Sequence, residues 1–157
     1  MMDEYGTQYT QDNNDIKYMS LAIEQAKKSI PAEKAYCVGA CLVSKDGELL
    51  TTGFSRELPG NTHAEQCALL KLQDPNLASG GTMYTTMEPC STRLSGNIPC
   101  VQNIINANIT RVVMGVREPP NLVQCEGVQL LEQHGIQVFI VPGVQEECLA
   151  PNKHILH

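Results

Sequence analysis

The residues best suited to chemistry in this chain are His63, Glu65, Cys90 and Cys100, in the local contexts His63-Ala64-Glu65, Pro89-Cys90 and Pro99-Cys100. One imidazole and two thiolates make a three-ligand set for zinc, and three protein ligands leave the fourth tetrahedral position to water. A closed structural site would use four. Glu65 is not needed to hold an ion, but two residues past the histidine it is placed to move protons on and off that water. The pattern describes metal-assisted hydrolysis with Glu65 as general acid and base.

The spacing constrains where the ion sits. Residues two apart do not share a helix face, so His63 and Glu65 can serve one metal only if it lies beyond a helix N-terminus. A helix beginning near His63 provides that. Proline suits a first helical turn, and a helix N-terminus lowers a cysteine pKa. Pro89-Cys90 is therefore expected to open a second helix facing the first. Each residue alone has a plainer explanation, a capping or surface histidine and buried filler cysteines. Their order and spacing together favour zinc, and His134, His154 and His157 lie in remote segments, which leaves the site open.

The elements that must position these groups follow from periodicity and turn signals. The first residues, 1–14, have few large apolar side chains and read as a mobile tail ahead of a single domain over 15–157. Asp15 is expected to cap a helix running to about Ile30, with Ile16, Met19, Ile23 and Ala26 on its buried face. Cys37 to Ser44 and Glu48 to Ser55 read as a hairpin about a turn at Lys45-Asp46-Gly47. A loop over Arg56 to Thr62 leads into the His63 helix, which ends before Pro75. Strands are expected at Thr82–Thr86, Arg111–Val116 and Gln137–Val141, and helices at Cys100–Ala107 and Val128–His134. Strands alternating with helices predict an α/β domain with helices on both faces of a five-stranded sheet. From about residue 142 the chain reads as an irregular C-terminal extension.

Composition narrows the function classes. A chain of 157 residues with 42% hydrophobic content is one domain with a full core. Seven cysteines is an odd number; Cys37, Cys41, Cys67 and Cys125 read as small core hydrophobes, suited to a reducing cytoplasm or nucleus. No signal peptide or membrane span is read. A net charge of −6 with 11 dispersed basic residues lacks the clustered positive footprint of a nucleic-acid binder. A small substrate with one phosphate needs only one or two local cations.

The ordered set of His-x-Glu, Pro-Cys and a second Cys resembles the cytidine-deaminase-like superfamily. Nine residues separate Cys90 from Cys100, where most members have two. The insert, Glu88-Pro89-Cys90-Ser91 through Pro99-Cys100, resembles that of the pyrimidine deaminases of riboflavin biosynthesis. So do Asn61-Thr62-His63-Ala64-Glu65-Gln66-Cys67-Ala68-Leu69, Val101 to Ala107 and Arg111 to Val116. Bacterial bifunctional members carry Pro-Asn-Pro where this chain has Ala35-Tyr36-Cys37 before Val38-Gly39. That departure resembles the fungal enzymes, and the chain length leaves no room for a fused reductase.

The resemblance implies a three-layer fold with a central mixed sheet, a zinc ion on His63, Cys90 and Cys100, and Glu65 as the proton shuttle. It implies deamination of a diaminopyrimidinone carrying a phosphorylated ribityl chain, and a homodimer. Asn61 is a candidate for the pyrimidine edge. Arg93, Ser95 and Asn97 fall in the insert between the metal cysteines; Arg93 is the first candidate for the phosphate and Arg56 the second. Glu88 is a candidate to hydrogen-bond around the site. The competing functions are deamination of another base or nucleotide (cytosine, deoxycytidylate or tRNA adenosine) and a non-catalytic zinc scaffold.

Overall fold

The computed structural model describes residues 1–32, 35–91, 98–117 and 126–155. Six strands form one mixed sheet: β1 (Gln8–Tyr9), β2 (Gly39–Val43), β3 (Leu49–Phe54), β4 (Thr82–Met87), β5 (Arg111–Val116) and β6 (Gln137–Ile140). Their spatial order is β1-β6-β5-β4-β2-β3. The β2–β3 and β2–β4 pairs are antiparallel; β4–β5, β5–β6 and β6–β1 are parallel. Helices α1 (Asn13–Ala26), α2 (Ala64–Leu70), α3 (Cys100–Asn106), α4 (Gly127–Gln133) and α5 (Gln145–Leu149) cover it.

Alternation along the strands divides the core in two. Ala40, Leu42, Met83, Val112 and Met114 face α2, α3 and α4. Cys41, Val43, Tyr84 and Val113 face α1 and α5. Because both faces are covered, β2 is buried at all five residues, as its apolar run requires. Two glycines let the helices close on the sheet. A Cβ on Gly39 would stand 1.8 Å from the Ala22 carbonyl oxygen of α1, and one on Gly53 would stand 2.2 Å from that of Ala64 in α2. The hairpin turns where expected, with Gly47 at φ 89°. Its register shifts between Leu42 and Val43.

The sheet has six strands rather than the expected five. The additional one, β1, lies in the segment read as a mobile tail: Gln8 and Tyr9 pair with Phe139 and Ile140, and Thr7 and Thr10 are buried. Arg117 anchors this arm, its Nε donating to Asp3 Oδ2 at 2.8 Å, its Nη2 to Thr7 Oγ1, its guanidinium 4.5 Å from the Tyr5 ring centre. The described part of the C-terminal extension packs on the domain as well. Buried Asn152 accepts from the Cys37 backbone N–H at 2.5 Å and donates to the Cys37 carbonyl at 3.2 Å. Burial raises the Cys41 and Cys148 thiols to about 12, which makes them inert packing groups. Cys125 lies outside the described residues. Among the described residues no helix is long and apolar enough to cross a membrane.

A second correction concerns Asp15. The cap of α1 is Asp12, whose carboxylate accepts from the Asn14 N–H at 2.9 Å, and the helix ends at Ala26 rather than Ile30. Ile16 is exposed, whereas Met19, Ile23 and Ala26 are buried as expected. Asp15 is itself 1% exposed and accepts from Thr10 Oγ1, Tyr84 OH and both Arg111 Nη atoms at 2.6–2.7 Å. Burial alone would raise its pKa; hydrogen bonds from Arg111, Thr10 and Tyr84 and the Arg111 charge outweigh that and hold it at about 2.

A depressed carboxyl stabilises the fold above its unfolded pKa of about 4, and that contribution is lost as pH falls toward 2. The linkage is worth about 2 kcal/mol. Asp15→Asn is therefore expected to flatten the acid side of the stability–pH curve between about pH 4 and 2, as read by urea unfolding. At neutral pH it should cost about 3 kcal/mol by leaving Arg111 without its carboxylate.

Candidate active site

Each functional side chain is set by the end of an element. His63 is the N-cap of α2, in extended backbone (φ −90°, ψ 162°), and its N–H is accepted by Gln66 Oε1 at 3.3 Å. The loop before it is buckled: the Arg56 N–H donates to the Thr62 carbonyl at 2.7 Å, Thr62 Oγ1 donates to the Leu58 carbonyl at 2.6 Å, and Arg56 and Asn61 have φ of 63° and 58°. Cys100 is the first residue of α3, after Pro99 as its N-cap. Cys90 follows β4 and, among the described residues, belongs to no helix.

The facing helix starts are thus those of His63 and Cys100, not of His63 and Cys90. Pro-Cys occurs twice, and the second copy carries the helix. The geometry still brings the three donors together. His63 Nδ1 is 3.3 Å from Cys100 Sγ and 3.6 Å from Cys90 Sγ, and the Cys100 N–H donates to Cys90 Sγ at 3.3 Å. All three donor atoms lie within 4.8 Å of one another. A tetrahedral zinc with typical N and S bond lengths sets N···S separations of roughly 3.6 Å. Donor chemistry and spacing therefore fit that ion.

Electrostatics agree with the geometry. Hydrogen bonding with the Cys100 thiol, opposed by burial and helped by His63, holds the Cys90 thiol well below its ordinary value. That is the thiolate state a metal needs. Glu65, in the first turn of α2, is 3% exposed. Burial pushes its carboxyl up to about 7; the His63 charge and a hydrogen bond from Cys100 pull it down, and Cys90 pushes it up. A buried carboxyl poised near neutrality beside a metal-donor cluster can both accept and return a proton.

The remaining candidates separate clearly. Asn61 is exposed, two residues before His63, in the left-handed region that asparagine tolerates. Arg93, Ser95 and Asn97 lie outside the described residues. Arg56 is not set up for a phosphate: its Nη1 donates to the Tyr36 carbonyl at 3.1 Å and its Nη2 to Ser29 Oγ and the Ile30 carbonyl at 3.0 and 2.9 Å. It ties the end of α1 to the segment before β2. A cavity of about 250 Å³ at the C-terminal ends of α2 and α3, lined by Leu72, Asn76 and Asn103, shares no residue with the metal-donor cluster.

Glu88 is buried directly before Pro89-Cys90, accepting the Val128 N–H at 3.4 Å, with Arg117 Nη1 3.8 Å from the same oxygen. Nothing in the sequence next to Arg117 announces this contact. The available signal was that β4 and β5 are neighbours in register, Met87 opposite Val116, so the residues that follow them must meet.

Comparison with known proteins places this geometry. Residues 12–116 match the cytidine and deoxycytidylate deaminase zinc-binding region. The diaminohydroxyphosphoribosylamino-pyrimidine deaminase of Schizosaccharomyces pombe is 46% identical over 87% of this chain and 34% of its own length. The protein of the same name from Buchnera aphidicola is 34% identical over 80% of this chain and 82% of its own. The Aspergillus oryzae Rib2 deaminase (C-terminal deletion mutant), solved in complex with DARIPP, superposes with a TM-score of 0.78 at 36% identity, over 88% of this chain and 90% of that one. The chain spans about a third of the length of several curated relatives it matches.

Proposed function

Since the chain belongs to the riboflavin-biosynthesis pyrimidine deaminases, within the cytidine and deoxycytidylate deaminase family, we propose that it hydrolyses the amino group from a diamino-ribitylamino-pyrimidinone 5′-phosphate and releases ammonia. The observation that carries this reading is the convergence of His63, Cys90 and Cys100 donors within 4.8 Å beside buried Glu65. Zinc held by those three residues would supply Lewis acidity and acidify water at its open position. The Glu65 carboxylate takes a proton from the attacking water and returns it to the departing amine. Its burial keeps bulk water from competing for that proton.

Arg93 is assigned to the substrate phosphate, because a guanidinium pairs with it bidentately. Asn61, Ser95 and Asn97 are assigned to polar contacts with the rest of the substrate. The relatives support a phosphorylated pyrimidine, and the family resemblance supports a homodimer. Among the described residues the cysteines form no disulfide and are mostly buried, which supports a reducing compartment such as the cytoplasm.

A second reading has a specific observation behind it: the S. pombe and Buchnera relatives are named for the phosphoribosylamino compound. Ammonia release by zinc-loaded protein, with the ribityl and ribosyl phosphates assayed side by side, separates the two. We expect turnover of the ribityl compound in clear excess. Preference for the ribosyl compound would keep the chemistry and reverse the substrate assignment. Turnover of neither, with zinc bound, would overturn the riboflavin reading.

A further inference from the structure

We propose that Gly127, at the start of α4, is a positioning residue that fixes the Cys90 ligand through Pro89. The inference rests on the metal reading above and concerns what holds one donor in place.

The N-cap of α4, Glu126, and its first two residues meet the segment that carries Cys90. The Glu126 N–H donates to Ser91 Oγ at 3.3 Å, and the Val128 N–H donates to Glu88 Oε2 at 3.4 Å. Between them Gly127 lies flat on Pro89: a Cβ there would stand 2.2 Å from the Pro89 carbonyl oxygen, 3.3 Å from its carbon and 3.4 Å from Val101 Cγ2. The obstructing atoms are backbone, so no rotamer change can relieve the overlap. The other sides of the same segment are closed. The Glu88 N–H donates to the Val116 carbonyl at 2.9 Å, and the Cys90 carbonyl accepts the Val101 N–H at 3.1 Å.

Helix propensity does not explain the glycine. Glycine is the poorest helix former after proline, so alanine would favour α4. Its backbone is not in the left-handed region, so alanine would meet no torsional penalty there. What remains is the close approach to Pro89. Relieving a 2.2 Å overlap requires Pro89 and Gly127 to separate by roughly 1 Å, whereas metal donors must sit within about 0.2 Å of their bonding distance. The residue after Pro89 is the donor. Its displacement opens the His63–Cys90 separation and pulls on the hydrogen bonds that join Cys90 to the Cys100 and Val101 N–H groups.

The test is metal affinity. Zinc binding is measured by competition with a chromophoric chelator, and the cobalt(II) spectrum reports donor geometry, for the full chain and its Gly127→Ala variant. We expect zinc affinity to fall at least tenfold and the tetrahedral cobalt bands to weaken or shift, while helix content stays intact. Leu131→Ala, which opens a hole in the same helix's core face, should lower the unfolding midpoint with no change in zinc affinity. If Gly127→Ala does not fold, Ser91→Ala, which removes the acceptor of the Glu126 N–H, should lower zinc affinity several-fold. Unchanged affinity and an unchanged cobalt spectrum in the folded variant would overturn the proposal, as would an equal loss of affinity in Leu131→Ala. Failure of the unmutated chain to bind either metal would overturn the metal reading itself and this inference with it.

Discussion

Glu65→Gln is expected to lower kcat for deamination by about 10³-fold, within the range typical of a lost general acid–base, while zinc stoichiometry stays at the wild-type value. The amide has the carboxylate's shape and fills the same buried space, but it can neither take a proton from water nor hand one to the departing amine. The substitution also removes a titratable group from a site where burial already opposes ionisation. The unfolding midpoint should therefore stay level or rise as activity disappears. Rate, metal content and midpoint measured on one preparation give a joint signature. A variant within tenfold of wild-type turnover would remove Glu65 from the proton path.

Gly39→Ala is expected to damage the fold more than alanine at any other described glycine. The added carbon would fall 1.8 Å from the Ala22 carbonyl oxygen and 2.5 Å from the Ala26 nitrogen, both backbone atoms of α1. Relief requires α1 to lift by more than 1 Å along the face that buries Met19, Ala22, Ile23 and Ala26, each 3% exposed or less. Overpacking a core usually costs about 1–3 kcal/mol; a clash between two main chains should exceed that, at about 4 kcal/mol or more. For a domain of this size that is a drop of roughly 10 °C or more in Tm. Gly47→Ala serves as the comparison. It has no atom within 4 Å of the added carbon, and its φ of 89° leaves only local strain, about 1 kcal/mol. Similar losses for the two variants would mean that α1 yields without cost.

The chemistry was more legible than its scaffold. His63, Glu65, Cys90 and Cys100 announce themselves because few other functions need an imidazole, a carboxyl and two thiols in that order, and the fold does bring them together. The hairpin is legible from its apolar run and the Lys45-Asp46-Gly47 turn, and β4, β5, β6 and α2 to α4 from short apolar segments set between turn signals. β1 was not: two polar residues have no period of their own, and their order comes from β6 and Arg117 far along the chain. An aspartate near a helix start suits a cap, and nothing local to Asp15 points to its actual partner, Arg111, 96 residues away. Both Pro-Cys pairs carry the same local helix signal, and only tertiary packing puts the helix at Cys100 rather than at Cys90. The C-terminal extension was unreadable because α5 is five residues long and Asn152 acts through contacts with Cys37, 115 residues away.

These long spans bear on how the chain reaches its native state. Arg111 with Asp15, Arg117 with Asp3, and Asn152 with Cys37 close loops of 96, 114 and 115 residues. Closing such loops costs chain entropy before any contact repays it, which slows folding. During synthesis α1 emerges well before β5, so the cation for its buried carboxylate is made only when β5 appears. The metal-donor segment between His63 and Cys100 is complete before either end is fastened. α1 can settle on β2 early, where Gly39 meets Ala22, but Met19, which packs beside Gly115 of β5, stays open until that strand is made to whatever else in the cell binds unfinished chains.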